Sequence, residues 1–123
     1  MIARLLGLRS AWNRVLAAHE GEFVLPTLVV HWPNAERRLR TRVIAMLVDD
    51  RGIALLDRQG GEAALLAADS ILSVELAPLT RSAFRPLRVT TLGQGTVDLA
   101  LSQVRPDDQI EIVLRIRSAL GRA

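Results

Sequence analysis

The segment PDDQIEIVLRIRSAL, residues 106–120, predicts an amphipathic C-terminal helix around which the rest of the chain can be organised. Pro106 suits the first position of a helix, and Asp107 and Asp108 place negative charge at its positive dipole end. Gly121 supplies a C-terminal stop. One side of this helix is apolar (Ile112, Val113, Ile116, Leu120) and the other is polar (Glu111, Arg115, Ser118, Arg122). We therefore expect the helix to dock on a sheet and bury its apolar side.

Seven short runs of apolar and β-branched residues precede this helix, and turn residues separate them. The runs are residues 23–31, 37–48, 53–57, 62–66, 71–76, 87–92 and 96–102. Asp49 to Gly52 predict a hairpin between the second and third runs. Pro26 marks the first run as an edge strand or a bulge, because proline donates no hydrogen bond. Residues 43–48 are apolar on both faces, which predicts a strand that is covered on both sides.

Residues 1–20 predict a separate N-terminal amphipathic helix, and the β-domain with its C-terminal helix spans residues 22–121. Leucine and tryptophan recur here at helical spacing, and no acidic residue occurs before Glu20. The candidate contact residues for a membrane or a partner are Arg4, Leu5, Leu8, Arg9, Trp12 and Arg14. We favour an apolar stripe that packs either on the sheet or on a second copy of the chain. Alternatively, the arginines and the tryptophan can bind an anionic membrane surface.

The composition argues against enzymatic chemistry. The chain of 123 residues has no cysteine, which excludes a disulfide framework, a thiolate zinc site and a cysteine nucleophile. His19 and His31 are the only histidines and have no metal-ligand spacing around them. The net charge is only +3, and the chain has four aromatic residues, two Trp and two Phe, which is a poor basis for binding single-stranded nucleic acid. We expect no catalytic residue, no cofactor, no metal and no nucleic-acid partner.

The order of these elements resembles the pleckstrin-homology (PH) superfamily from Phe23 to Leu120, and most of all its small bacterial members. Four segments carry the resemblance: RRLRTRVIAMLVDDRGIALLD (37–57), SILSVEL (70–76), PLRVTTLGQGTVDLAL (86–101) and the C-terminal segment quoted above. The resemblance implies a mainly β fold with helices, namely a seven-stranded antiparallel open barrel or sandwich capped by the C-terminal helix. It also implies a non-enzymatic scaffold that binds proteins, peptides or phosphoinositide head groups.

In the PH superfamily, basic residues near the loop between the first two strands bind ligands, and this chain has an arginine cluster there. The candidate binding surface consists of Trp32, Arg37, Arg38, Arg40 and Arg42. We expect three of these arginines, Arg38, Arg40 and Arg42, to alternate along one face of a strand, where they could bind phosphates or carboxylates with forked hydrogen bonds. We favour the alternative, in which they form a solvated strand end that pairs with nearby carboxylates and protects the sheet edge.

These patterns favour an interaction module that binds a protein partner or associates with itself. The alternative is a peripheral membrane module whose N-terminal helix and Arg37–Arg42 cluster contact anionic lipid. The N-terminal segment lacks the uninterrupted apolar region of a signal peptide, and no apolar run is long enough to span a bilayer. We therefore expect a cytoplasmic protein, with a peripheral position at the inner membrane face under the alternative.

Overall fold

The computed structural model describes residues 2–78, 85–101 and 104–122, except for the side chains of residues 2–8. The described part contains two four-stranded antiparallel sheets and three α-helices. The helices are α1 (Ile2–Ala18), α2 (Arg37–Arg42) and α3 (Gln109–Ala119). The strands are β1 (Val24–Pro26), β2 (Val29–His31), β3 (Ala45–Asp49), β4 (Gly52–Leu56), β5 (Glu62–Ala67), β6 (Ile71–Leu76), β7 (Leu87–Thr91) and β8 (Gly95–Leu99). Ser102, which the sequence places in the last strand, lies outside the described residues.

The first sheet has the strand order β1-β3-β4-β5 and the second β2-β8-β7-β6. The predicted number of seven strands is wrong, because the first run is divided between the two sheets as β1 and β2. Between these strands the chain crosses at Thr27, whose N–H donates to the Ile44 carbonyl at 3.0 Å. The Thr27 hydroxyl donates to the carbonyl of Ala100 in the opposite layer. Within the described residues the strands form a sandwich of two sheets and no closed barrel.

The second run also differs from its prediction, because only its later part is a strand. Residues Arg37–Arg42 form α2, and the extended conformation begins at Val43. Arginine and leucine favour helix over strand, whereas the apolar and partly β-branched residues that favour strand start at Val43. The partly buried side chain of Leu39 packs against the main core and anchors this short helix to it. The prediction that the arginines alternate along a strand is therefore wrong.

The main core lies between the two sheets and is closed by α3. Paired residues in antiparallel strands share a face, so the pairs Met46–Leu55 and Val48–Ile53 both point into this core. The side chains that join this core from α3 and the residue after it are Val113, Ile116 and Leu120. The C-terminal helix is confirmed: a 3₁₀ turn at Pro106–Asp108 leads into α3, and Gly121 follows it with φ +78°.

A smaller core lies on the other face of the first sheet, under α1. The fully buried Val15 of α1 packs there with small and branched side chains of β3 and β4. These strand residues are Ala45, Leu47, Ala54 and Leu56. The two alanines leave room for the helix to approach the sheet closely. This packing explains why residues 43–48 are apolar on both faces.

Candidate functional site

An open cleft of about 400 Å³ lies between the edge strand β2 and helix α2. It is lined by Leu28, Val29, Arg37, Arg40, Thr41 and Val43. We call these residues the β2–α2 cleft. It combines apolar side chains from the strand side with two guanidinium groups from the helix side.

The helical conformation of residues 37–42 decides which arginines reach the cleft. Side chains three and four positions apart share one side of a helix, so Arg37, Arg40 and Thr41 point the same way. Arg42 lies elsewhere, and its Nη2 is 3.5 Å from Oδ2 of Asp57 in the turn between β4 and β5. Arg38 is exposed and does not line the cleft. The structure therefore brings together two of the four arginines that the sequence singles out.

Arg40, one of the residues that line the cleft, has an unsatisfied polar atom. Its Nε is buried and has no hydrogen-bond partner among the described residues. A buried donor without a partner costs about 1–3 kcal/mol, more when the group is charged. A movement of the Arg40 side chain that exposed Nε to a ligand oxygen would recover that cost, because a guanidinium binds a carboxylate or phosphate through two parallel hydrogen bonds.

The strand side of the cleft is an open sheet edge with exposed apolar side chains. Among the described strands, β2 is the terminal strand of its sheet and pairs with β8 on one side. Leu28 and Val30 are 55% and 50% exposed. An exposed strand edge presents unpaired N–H and C=O groups, to which an extended segment can add.

Trp32 lies in the core and is only 4% exposed. Its Nε1–H donates to the Gln94 carbonyl in the β7–β8 turn at 2.7 Å. It therefore anchors the loop between β2 and α2 and contributes no exposed contact surface. Four cleft residues were missed by sequence reasoning: Leu28, Val29, Thr41 and Val43. The one available signal was Pro26, which marks the first run as an edge strand or a bulge.

In α1, Trp12 is partly buried and packs against the smaller core, while Arg9 is exposed. Arg14 donates from Nη1 to the Arg58 carbonyl at 3.1 Å and to Oε1 of Gln59 at 3.3 Å. Trp12 and Arg14 of α1 thus contact the domain itself. The side chains of Arg4, Leu5 and Leu8 lie outside the described part of the structure.

The part of the chain that the structure describes contains no group of three or more histidine, aspartate or glutamate side chains placed to hold a metal ion. None of its helices combines the length and the hydrophobicity required to cross a bilayer. No protein-family model matches the chain, and no curated protein matches it.

Proposed function

We propose that the chain is a non-catalytic, PH-like interaction module that binds an extended, acidic segment of a protein partner in the β2–α2 cleft. The observation that carries this proposal is the buried, unpartnered Nε of Arg40 beside the open edge of β2. The charge of the cleft supports an acidic ligand, and its backbone geometry supports an extended one.

The charge of the cleft favours an anionic segment. Arg37 and Arg40 line it, and neither forms an ion pair with any described residue. Two adjacent guanidinium groups without a carboxylate between them repel each other, and an acidic side chain placed there relieves that repulsion. Aspartate and glutamate are therefore the side chains that this cleft recognises.

The backbone of the cleft favours an extended segment over a helix or a small molecule. Strand addition uses main-chain hydrogen bonds for affinity and pockets for alternate side chains for specificity. The three residues Val29–His31 offer such an edge, although a short one. A segment that alternates acidic and apolar residues can direct the acidic ones to α2 and the apolar ones to Leu28 and Val30.

An NMR titration of the full-length chain with a short capped peptide of alternating glutamate and valine tests this proposal. We expect chemical-shift changes confined to β2 and α2, and none with the matching lysine–valine peptide. The double variant R37A/R40A should weaken binding by about tenfold or more, because charge-assisted hydrogen bonds contribute on the order of 1.5–3 kcal/mol. The matched control R38A/R42A removes the same charge, and we expect it to change affinity by less than about threefold. Equal losses in both variants would contradict a specific cleft.

Self-association at the same cleft is a separate outcome of this experiment. Light scattering of the full-length chain over a range of concentrations distinguishes it. A concentration-dependent dimer that R37A/R40A abolishes would identify a second copy of the chain as the partner. A monomer that binds the acidic peptide supports a different protein as partner.

The alternative of a peripheral membrane module receives less support from the contacts of α1. Val15 is buried against the first sheet and is not available to lipid while α1 is docked, and the exposed Arg14 is hydrogen-bonded to the β4–β5 turn. Co-sedimentation with anionic and neutral vesicles at two salt concentrations tests it, because an electrostatic contact weakens with salt. Pelleting only with anionic vesicles at low salt would favour the membrane module over the peptide module.

A further inference from the structure

The C-terminal end of α1 is joined to the rest of the domain through the imidazole of His19. Its Nε2 lies 2.7 Å from the carbonyl oxygen of Gly60 in the β4–β5 turn. Its Nδ1 lies 2.9 Å from Oε2 of Glu22, just after the helix. The His19 side chain is 19% exposed, so water has limited access to it.

Both atoms that face the imidazole are hydrogen-bond acceptors. A carbonyl oxygen has no proton to give, and an ionised carboxylate has none either. A neutral imidazole carries one N–H and can satisfy only one of them, whereas an imidazolium donates to both. The arrangement around His19 is therefore complete only when the ring is protonated.

Backbone geometry holds α1 and the β4–β5 turn in close contact at this point. Gly60 has φ +80°, and a Cβ added there would lie 3.1 Å from the Cβ of Ala18. The turn itself is ordered by Asp57, whose Oδ1 accepts from the N–H groups of Gln59 and Gly61 at 2.9 and 3.0 Å. A rigid turn can transmit the loss of one hydrogen bond directly to the helix.

We propose that His19 is a pH-sensitive latch that holds α1 on the domain when protonated and loosens it when neutral. Release of α1 uncovers the outer apolar face of the first sheet, which Val15 covers in this structure. The latch thus controls access to a surface distinct from the β2–α2 cleft.

The other charged groups near His19 do not reverse the direction of its pH effect. Arg14, on the same helix, is bound to the Arg58 carbonyl and to Gln59. On the turn, Asp57 accepts from backbone N–H groups and from Arg42, and Arg58 is exposed. Glu22 is the carboxylate that contacts the ring directly.

The direction of the pH effect follows from the pKa of His19. The Gly60 hydrogen bond is the largest cause and raises this pKa above its ordinary value of 6.5; burial opposes it, and the hydrogen bond and charge of Glu22 raise the pKa further. A raised pKa in the folded state means that the stabilisation is complete below the unfolded value and is lost as the pH rises through the folded value. The latch is closed in mildly acidic solution and open in alkaline solution.

Hydrogen exchange of the full-length chain, read by mass spectrometry near pH 6 and near pH 8.5 and corrected for intrinsic rates, tests the latch. Protection of the last two turns of α1 should fall by about three- to tenfold at the higher pH, the range expected for one lost hydrogen bond. Protection of β4 should stay constant, which separates local release from global unfolding. The variant H19Q should show no such pH dependence, whereas H31Q, which removes the exposed imidazole of β2, should keep it.

Two outcomes would overturn the proposal: the same pH dependence in H19Q, or constant protection of α1 in the unmodified chain. An NMR titration of the His19 ring protons provides a second test that does not depend on any variant folding. It should give a pKa above 6.5 that falls in E22Q. A His19 pKa at or below 6.5 in the unmodified chain would also overturn the latch.

Discussion

Replacing Ile116 with alanine tests whether α3 closes the main core as described. The Ile116 side chain is 0% exposed and lies in the core between the two sheets. The change removes three carbon groups, which at about 0.8 kcal/mol each cost about 2.4 kcal/mol in transfer free energy. The cavity left behind adds a further penalty, so we expect the free energy of unfolding to fall by about 3–4 kcal/mol.

Urea unfolding followed by tryptophan fluorescence measures this change, since Trp32 is buried in the same core. For a domain of this size, a loss of about 3 kcal/mol also corresponds to a melting temperature lower by roughly 10 °C. Leu114→Ala is the matched control, because Leu114 lies on the same helix but is 55% exposed. It should cost less than about 1 kcal/mol. Equal losses in the two variants would refute the orientation of α3.

Three further substitutions test other contacts. Gly52→Ala should prevent stable folding, with a loss of unfolding free energy above about 3 kcal/mol, because Gly52 has φ +140° and an added Cβ would clash with the Leu66 carbonyl oxygen. A folded variant with a normal circular-dichroism melt would contradict the pairing of β4 with β5 at this position. Asp98→Asn should lower the free energy of unfolding by about 1–2 kcal/mol in a urea titration, since the buried Asp98 accepts hydrogen bonds from Nε and Nη2 of Arg88 at 2.9 and 3.0 Å. An unchanged urea midpoint would show that this pair contributes nothing to stability. Val15→Asp should detach α1 and raise its hydrogen exchange to that of an isolated peptide, because the fully buried site cannot hold a charge; retained protection would mean that α1 is held by other residues.

The elements that sequence reasoning predicted correctly are those whose pattern is set by one buried face. Val113 and Ile116 of α3 and Leu120 just after it recur at helical spacing and are buried as expected, whereas Ile112 is only partly buried. In β8, Val97 and Leu99 alternate and both point into the core. Because such a periodicity depends only on which side of an element faces the core, it can be read without knowing the neighbouring elements.

The features that sequence reasoning missed depend on contacts between distant residues. The division of the first run into β1 and β2 is stabilised by Thr27, which bonds to residues 17 and 73 positions away in the two layers. Trp32 is buried in the main core, and its N–H is satisfied by the carbonyl of Gln94, which lies 62 residues further along the chain. A local pattern of residues carries no information about either partner, so neither feature could be predicted from it.

The conformation of residues 37–42 determines which arginines share a face, and therefore which kind of ligand they suit. On a strand, Arg38, Arg40 and Arg42 would share one face and present three like charges in a row. On the helix, Arg37 and Arg40 share the side that lines the cleft, and Arg42 is directed to Asp57. A row of three charges is suited to an extended anionic surface such as a membrane, whereas two guanidinium groups beside an apolar strand edge are suited to the acidic side chains of an extended peptide. The same arginines therefore favour a peptide ligand once their backbone is known, and substitution of Arg37 and Arg40 should affect binding far more than substitution of their neighbours.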